Sequence, residues 1–276
     1  TVTKRSSAEE SIKDGYYKAL GGVLELKECS SLSLGTDLDY LSTRISLSSE
    51  NEVCLSNAKF LFEMIKKKGM LGCNPSSTPI SKDMIKLVAH EAEMGLFLDA
   101  EGKAEYQADL GSLNWAAQVF CPKLATTVSL LGKRAAAPTV SGPAMIKQAV
   151  RWLSGNIDMC LKTNSDNTDG IAFYCDSDLA GLHSVDGETR SRMGILGTYN
   201  GMPFFWNSSW IKATCTSSGE AEVYALSECT KVAVHFKWVC QELNIPAPEK
   251  IPIFCDAEAA IGFFKNLGGA SQSKLK

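Results

Sequence analysis

Two apolar runs, IAFYC (171–175) and IPIFC (251–255), each end directly on an aspartate, Asp176 and Asp256, and this pairing constrains the fold more than any other feature of the sequence. A run of four to eight apolar residues bounded by turn signals reads as a buried strand. A carboxylate at the edge of such a strand faces desolvation unless a cation meets it, and neither aspartate has a Lys or Arg beside it. A metal ion meets that need. Starting a turn or capping the next helix is the alternative use of a strand-end aspartate.

The segment between the two runs sharpens the argument. TSSGEAEVYALSE (216–228) opens a long amphipathic helix, and Ser217 with Glu220 three residues on has the spacing of a capping box. At 100° per residue, Leu226, Cys229, Ala233, Phe236, Cys240 and Leu243 share one face, and the stripe extended backwards reaches Glu222. Glu220, Lys231 and Glu242 fall on the opposite face. An inward glutamate near a helix start is also stabilised by the helix dipole without any metal. Taken together, carboxylates on a strand, a helix and the next strand can converge at one end of a sheet and hold two divalent cations, roughly 3.5–4 Å apart, for phosphodiester cleavage. Magnesium suits such oxygen ligands, with manganese as its substitute.

With 276 residues, 45% of them hydrophobic, the chain can build one large or two ordinary cores. A net charge of −3 gives no general attraction to nucleic acid, so binding of that kind must come from local patches or from bound cations. None of the ten cysteines forms a Cys-x-x-Cys pair and there are only three histidines, which argues against a zinc-ligand motif and for a reducing compartment. The opening TVTKRSSAEESIKDG has no apolar stretch of signal-peptide length, and no apolar run reaches a membrane-spanning length. The expectation is a soluble intracellular protein with no membrane partner.

Along the chain, short β-like runs (GGVLEL, DLDYLSTRISLS) and a helical stretch, LSNAKFLFEMIKKKGML, give way to four helical segments between 82 and 155: KDMIKLVAHEAEMGLFL, YQADLGSLNWAAQVF, KLATTVSLLGKRAAA and PAMIKQAVRWLSGN. These suggest a small bundle. The polar LKTNSDNTDG (161–170) reads as a linker. Three strand-like runs follow, GIAFYCD, RMGILGTYN and MPFFWNSSW, with the Asn200-Gly201 pair marking a hairpin.

At the acidic positions the chain resembles a known family. CDSDLAG (175–181), FFWNSSWIKATCTSSGEAEVYALSE (204–228) and IFCDAEAAIGFFKN (253–266) resemble the ribonuclease H domain of copia-type retrotransposon Pol polyproteins, where the equivalents read roughly SDADWAG, ISWSSKKQ…SSTEAEYMALAE and YCDNQSAIALAKN. Upstream, YQADLGSLNWAA…CPKLATTVSLL…AMIKQAVRWLSGN and GMLGCNPSSTPI (69–80) are similar to the segments joining reverse transcriptase to ribonuclease H.

The resemblance implies an α/β (α+β) fold: a ribonuclease H-like mixed sheet with helices over 171–276, a helical connection region over 81–160, and the end of a reverse transcriptase palm/thumb-like region over 1–80. It implies cleavage of the RNA strand of RNA/DNA hybrids by two-metal hydrolysis with two Mg2+, and it places the catalytic and metal-binding carboxylates on Asp176, Glu222 and Asp256. Asp178 matches a neighbouring acidic position outside that set. A fourth aspartate is expected beyond residue 276 and the polymerase motif before residue 1, which makes the chain a C-terminally truncated polyprotein fragment partnered by the palm. The cytoplasm is the implied location, with a virus-like particle or the nucleus as alternatives. The rival reading is an inactive remnant serving as a nucleic-acid-binding or structural module.

Arg190 and Arg192 of HSVDGETRSR are candidate phosphate contacts, as are Lys66, Lys67 and Lys68, although a charge run is more often a solvated face. Hybrids are recognised by backbone shape and 2′-hydroxyls, so no base-reading motif is required. Trp206 and Trp210, in a strand-like run, are expected to pack in the sheet.

Overall fold

The computed structural model describes residues 32–49, 52–163, 170–181, 189–245 and 247–273; GGVLEL, residues 164–169 of the polar linker and most of HSVDGETRSR lie outside them. The fold is mixed α/β, with two four-stranded sheets among the described residues. The first sheet is antiparallel in the order β1 (Leu38–Tyr40), β2 (Thr43–Ser49), β3 (Glu52–Ser56), β4 (Cys160–Lys162). Its fourth strand thus comes from more than a hundred residues downstream of the third.

Between β3 and β4 lie five helices: α1 (Ala58–Lys67), α2 (Lys82–Glu93), α3 (Ala100–Val119), α4 (Ala125–Gly132) and α5 (Gly142–Ser154). Ser81 caps α2 by accepting from the Met84 N–H, and Asp99 caps α3 by accepting from the Gly102 N–H. That second cap starts α3 well before the periodic YQADLG stretch. Gly95, at φ 72°, stops α2 short of GLFL, and KLATTVSLLGKRAAA contributes only the eight residues of α4 after a 3₁₀ turn at Pro122–Leu124. A single apolar cluster from Leu61 to Leu161 joins these helices, with Phe60, Trp115 and Phe120 in mutual ring contact inside it.

The second sheet has the order β7-β6-β5-β8, with β5 (Ile171–Asp178), β6 (Arg192–Tyr199) and β7 (Met202–Trp210) antiparallel and β8 (Ile253–Phe254) parallel to β5. A parallel pair needs a crossover, here supplied by the long helix α6 (Ser218–Glu242). The β6–β7 turn puts Asn200 at φ 47° and Gly201 at φ 78°, the two left-handed residues of a tight hairpin. Asn200 also ties the turn to the strand start: its N–H donates to the Gly170 carbonyl and its side-chain oxygen accepts from the Gly170 N–H. β8 is shorter than the apolar run that predicts it. Pro252 has no N–H to donate, and its carbonyl accepts from the Phe173 N–H as the pairing begins.

The second core packs α6 on this sheet through Phe173, Ile195, Ala225, Leu226, Cys229, Ala233 and Cys240. The inward face read from the sequence matches except at its end, where Leu243 caps the helix and is exposed. β7 faces both cores: Phe204 and Phe205 pack with α6, while Met202, Trp206 and Trp210 pack against the first cluster. The Trp206 indole N–H donates to the Ala117 carbonyl at the end of α3, and Thr126 of α4 shares a 3.0 Å hydrogen bond with Ser208. Among the described residues no helix is long and apolar enough to cross a membrane.

Candidate metal centre

β5, α6 and the loop after β8 bring their acidic residues to one end of the second sheet. β5 is central, paired by β6 on one side and β8 on the other, so Ile171, Ala172, Phe173 and Cys175 are buried, while Tyr174 faces outward and Asp176 emerges into solvent. The Asp176 carboxylate turns back to accept from the next amide, Ser177 N–H, at 2.8 Å. Glu222 lies one turn inside α6 and is 8% exposed. Its Oε1 accepts from the Ser177 hydroxyl at 2.7 Å and from the same Ser177 N–H at 3.1 Å. A buried carboxylate without such donors would be strongly disfavoured. One amide therefore lies between the carboxylates of Asp176 and Glu222.

The other oxygen, Glu222 Oε2, accepts from the Cys255 thiol at 3.7 Å. One ligand atom each from Glu222, Cys255 and Asp256 lie within 4.8 Å of one another, buried, half-buried and exposed respectively. Glu222 and Asp256 are thus brought together, and Asp176 sits beside Ser177 just outside that trio. Glu220 is kept apart, as its place on the helix predicts. Its N–H donates to the Ser217 hydroxyl, and its carboxylate accepts from the N–H and hydroxyl of Thr216, which hold it below the usual carboxylate range.

Cys255 and Ser177 are the residues that sequence reasoning missed. Cys255 reads as a small apolar residue completing IPIFC, but β8 ends at Phe254 and the thiol turns toward Glu222. Burial pushes this thiol up to about 11, against the pull of the Ala257 amide, so it is protonated and able to donate. Beneath it, Cys175 of β5 contacts both Cys255 and Cys229 of α6; its bond with Cys229 and burial raise Cys175, and the same bond lowers Cys229. Ser177 had no signal beyond standing between Asp176 and Asp178. The Asp178 carboxylate folds onto Gly181, where any side chain would collide with it.

The basic residues divide. Arg190 is exposed, 5.2 Å from the Trp210 ring. Arg192 is only 7% exposed, stacks on Trp210 at 4.3 Å and donates to the Ser208 hydroxyl, so here it packs the sheet rather than standing open to phosphate. Lys68 is held by Asp109 and Glu105, while Lys66 and Lys67 are exposed. An open groove of about 500 Å³ runs over the outer sheet face to Asp176, lined by Lys123, Tyr174, Trp206, Asn207 and Ser208 among others. Tyr174 stacks on Phe254 along this surface, ring centroids 5.0 Å apart.

A retrovirus-related Pol polyprotein from transposon TNT 1-94 of Nicotiana tabacum is 28% identical to this chain over 218 residues, 77% of the chain. The chain belongs to the copia-type retrotransposon Pol polyproteins. This Pol segment spans 16% of the tobacco polyprotein's length. An uncharacterized mitochondrial protein of Arabidopsis thaliana is 24% identical over 173 residues, 63% of the Pol segment and 68% of that protein. A secreted RxLR effector protein of Plasmopara viticola is 32% identical over 130 residues, 47% of the segment and 89% of that protein. No protein-family model matches the Pol segment, and no solved structure matches it.

Proposed function

We propose that the Pol segment is a ribonuclease H-type endonuclease that hydrolyses the RNA strand of RNA/DNA hybrids, the reaction expected of a retrotransposon during reverse transcription. The observation that carries this reading is the arrival of Asp176, Glu222 and Asp256 at one sheet end from three separate elements, with Glu222 buried there and held by Ser177.

The donor set fits a hard divalent cation: the three carboxylates offer oxygen ligands, two of the three are exposed, and Glu222 and Asp256 already lie within 4.8 Å. Asp176, Glu222 and Asp256 would hold two Mg2+ or Mn2+, which supply an activated water and stabilise the leaving oxygen. Ser177 fixes one oxygen of Glu222 through two hydrogen bonds, so the carboxylate cannot swing away from the sheet end. Asp176 and Asp256, both exposed, remain able to turn toward a ligand. The groove leading to Asp176 offers Lys123 and a row of amide and hydroxyl groups, donors suited to phosphates and 2′-hydroxyls, and Arg190 lies over Trp210, two residues beyond the groove-lining Ser208 on β7. The remainder of the Pol polyprotein, the palm above all, is the natural partner for holding the hybrid.

The test is cleavage of a labelled RNA/DNA hybrid in Mg2+ or Mn2+, by this chain and by a form extended past residue 276, each with Asp176→Asn and Glu222→Gln counterparts. Cation-dependent cleavage of the RNA strand that both substitutions abolish is expected. Hybrid binding with no cleavage by either folded form would replace this reading with that of a binding module.

A further inference from the structure

We propose that Glu222, Cys255 and Asp256 form a site for one thiophilic divalent cation of the zinc class. The site shares two carboxylates with the ribonuclease reading but does not depend on it. Its distinguishing donor is sulfur. Magnesium takes oxygen ligands and gains nothing from a thiol, whereas zinc-class cations accept thiolate and carboxylate together, often as three protein ligands plus one open position.

The geometry is close to what such a cation needs. Ligand atoms around a tetrahedral zinc lie about 3.3–3.8 Å apart, given bonds of about 2.0–2.3 Å. The three donors here lie within 4.8 Å before any ion draws them in. Two of them are pre-set: Glu222 Oε1 is held by Ser177, which leaves Oε2 facing Cys255. Asp256, exposed in the loop before helix α7 (Glu258–Ser273), supplies the adjustable ligand.

Cys255 is also not a solitary thiol. Cys175 interacts with it and Cys229 in turn with Cys175, so thiols from β5, α6 and the β8–α7 loop neighbour one another beside the site, the first two buried in the core. The ribonuclease reading uses none of these three sulfur atoms. Binding replaces the Cys255 S–H bond with a sulfur–metal bond and releases one proton to solvent. Spacing in the sequence could not reveal this set, because its donors stand 33 residues apart and meet only through the parallel β5–β8 pairing.

Cadmium is the probe, because a cadmium–thiolate bond absorbs in the ultraviolet. Titration of the full chain with Cd2+ should raise that band to saturation at one equivalent. Cys255→Ser should remove this phase, Asp256→Asn should weaken it at least about tenfold, and Cys73→Ser should leave it unchanged. Circular dichroism establishes that each variant is folded, with Cys255→Ala in place of the serine variant if that one is not. A band that persists without Cys255, or one that needs a large excess of Cd2+, overturns the proposal. The readout does not require nuclease activity, so an inactive chain that shows the band defeats only the ribonuclease reading, and an active chain without it defeats only this one.

Discussion

Ser177→Ala tests whether the hydroxyl is what holds Glu222 inside the fold. The hydroxyl donates to Oε1 at 2.7 Å and the Ser177 amide supports the same oxygen at 3.1 Å, while the thiol of Cys255 makes a longer bond to Oε2. A hydrogen bond to a charged group contributes about 1.5–3 kcal/mol, and a neutral one about 0.5–1.5 kcal/mol. Ser177→Ala should therefore cost about 1.5–3 kcal/mol at neutral pH in the native background. In a Glu222→Gln background the acceptor is uncharged, and the same change should cost about 0.5–1.5 kcal/mol. The coupling, on the order of 1–2 kcal/mol, is measured by a double-mutant cycle from urea unfolding, followed by both fluorescence and circular dichroism so that coincident transitions establish two-state behaviour. Equal costs in the two backgrounds would refute the argument, because the hydroxyl would then not be interacting with the charge.

Three further outcomes are expected. Glu91 accepts from the N–H and hydroxyl of Ser141 at the start of α5; burial alone would raise its pKa, but these bonds prevail and hold it below the usual value. Its stabilisation is thus full above the unfolded carboxylate range near about 4.3 and is lost as pH falls through the lower folded value, so the urea midpoint should drop across that window and Glu91→Gln should flatten the profile. Gly197→Ala would put a methyl 2.7 Å from the fully buried Phe173 ring; a loss of about 1–3 kcal/mol is expected, and Phe173→Leu in the same chain should recover part of it in thermal unfolding. Trp206→Phe removes the donor to the Ala117 carbonyl and should cost about 1–3 kcal/mol by denaturant titration; no change would mean that the contact between the two cores does not contribute.

Periodicity made the inward face of α6 legible, and with it Glu222, because one helix obeys a single local repeat from Ala221 to Cys240. The strands of the second sheet were equally plain, since their apolar runs are bounded by turn residues. Helix limits were less so: the early start of α3 depends on Asp99 meeting one amide, and Gly102 inside the helix hides the pattern. Spacing along the chain could not indicate that β4 would return to β3, nor that Arg192 would be covered by Trp210, because both follow from pairing between distant segments. Cys255 was hidden for a related reason. In an apolar run a cysteine counts as one more hydrophobe until the strand is known to stop one residue before it.

β7 carries a further consequence. Its phenylalanines pack beneath α6 on one side, and on the other its tryptophans rest on the helical cluster. A piece of this chain cut at Gly170 would keep the carboxylates yet leave Met202, Trp206 and Trp210 as a bare adhesive strip facing water. Such a piece should self-associate or precipitate where the longer chain does not. Any transplant of the carboxylate sheet into another protein has to bring along a lining for that strip.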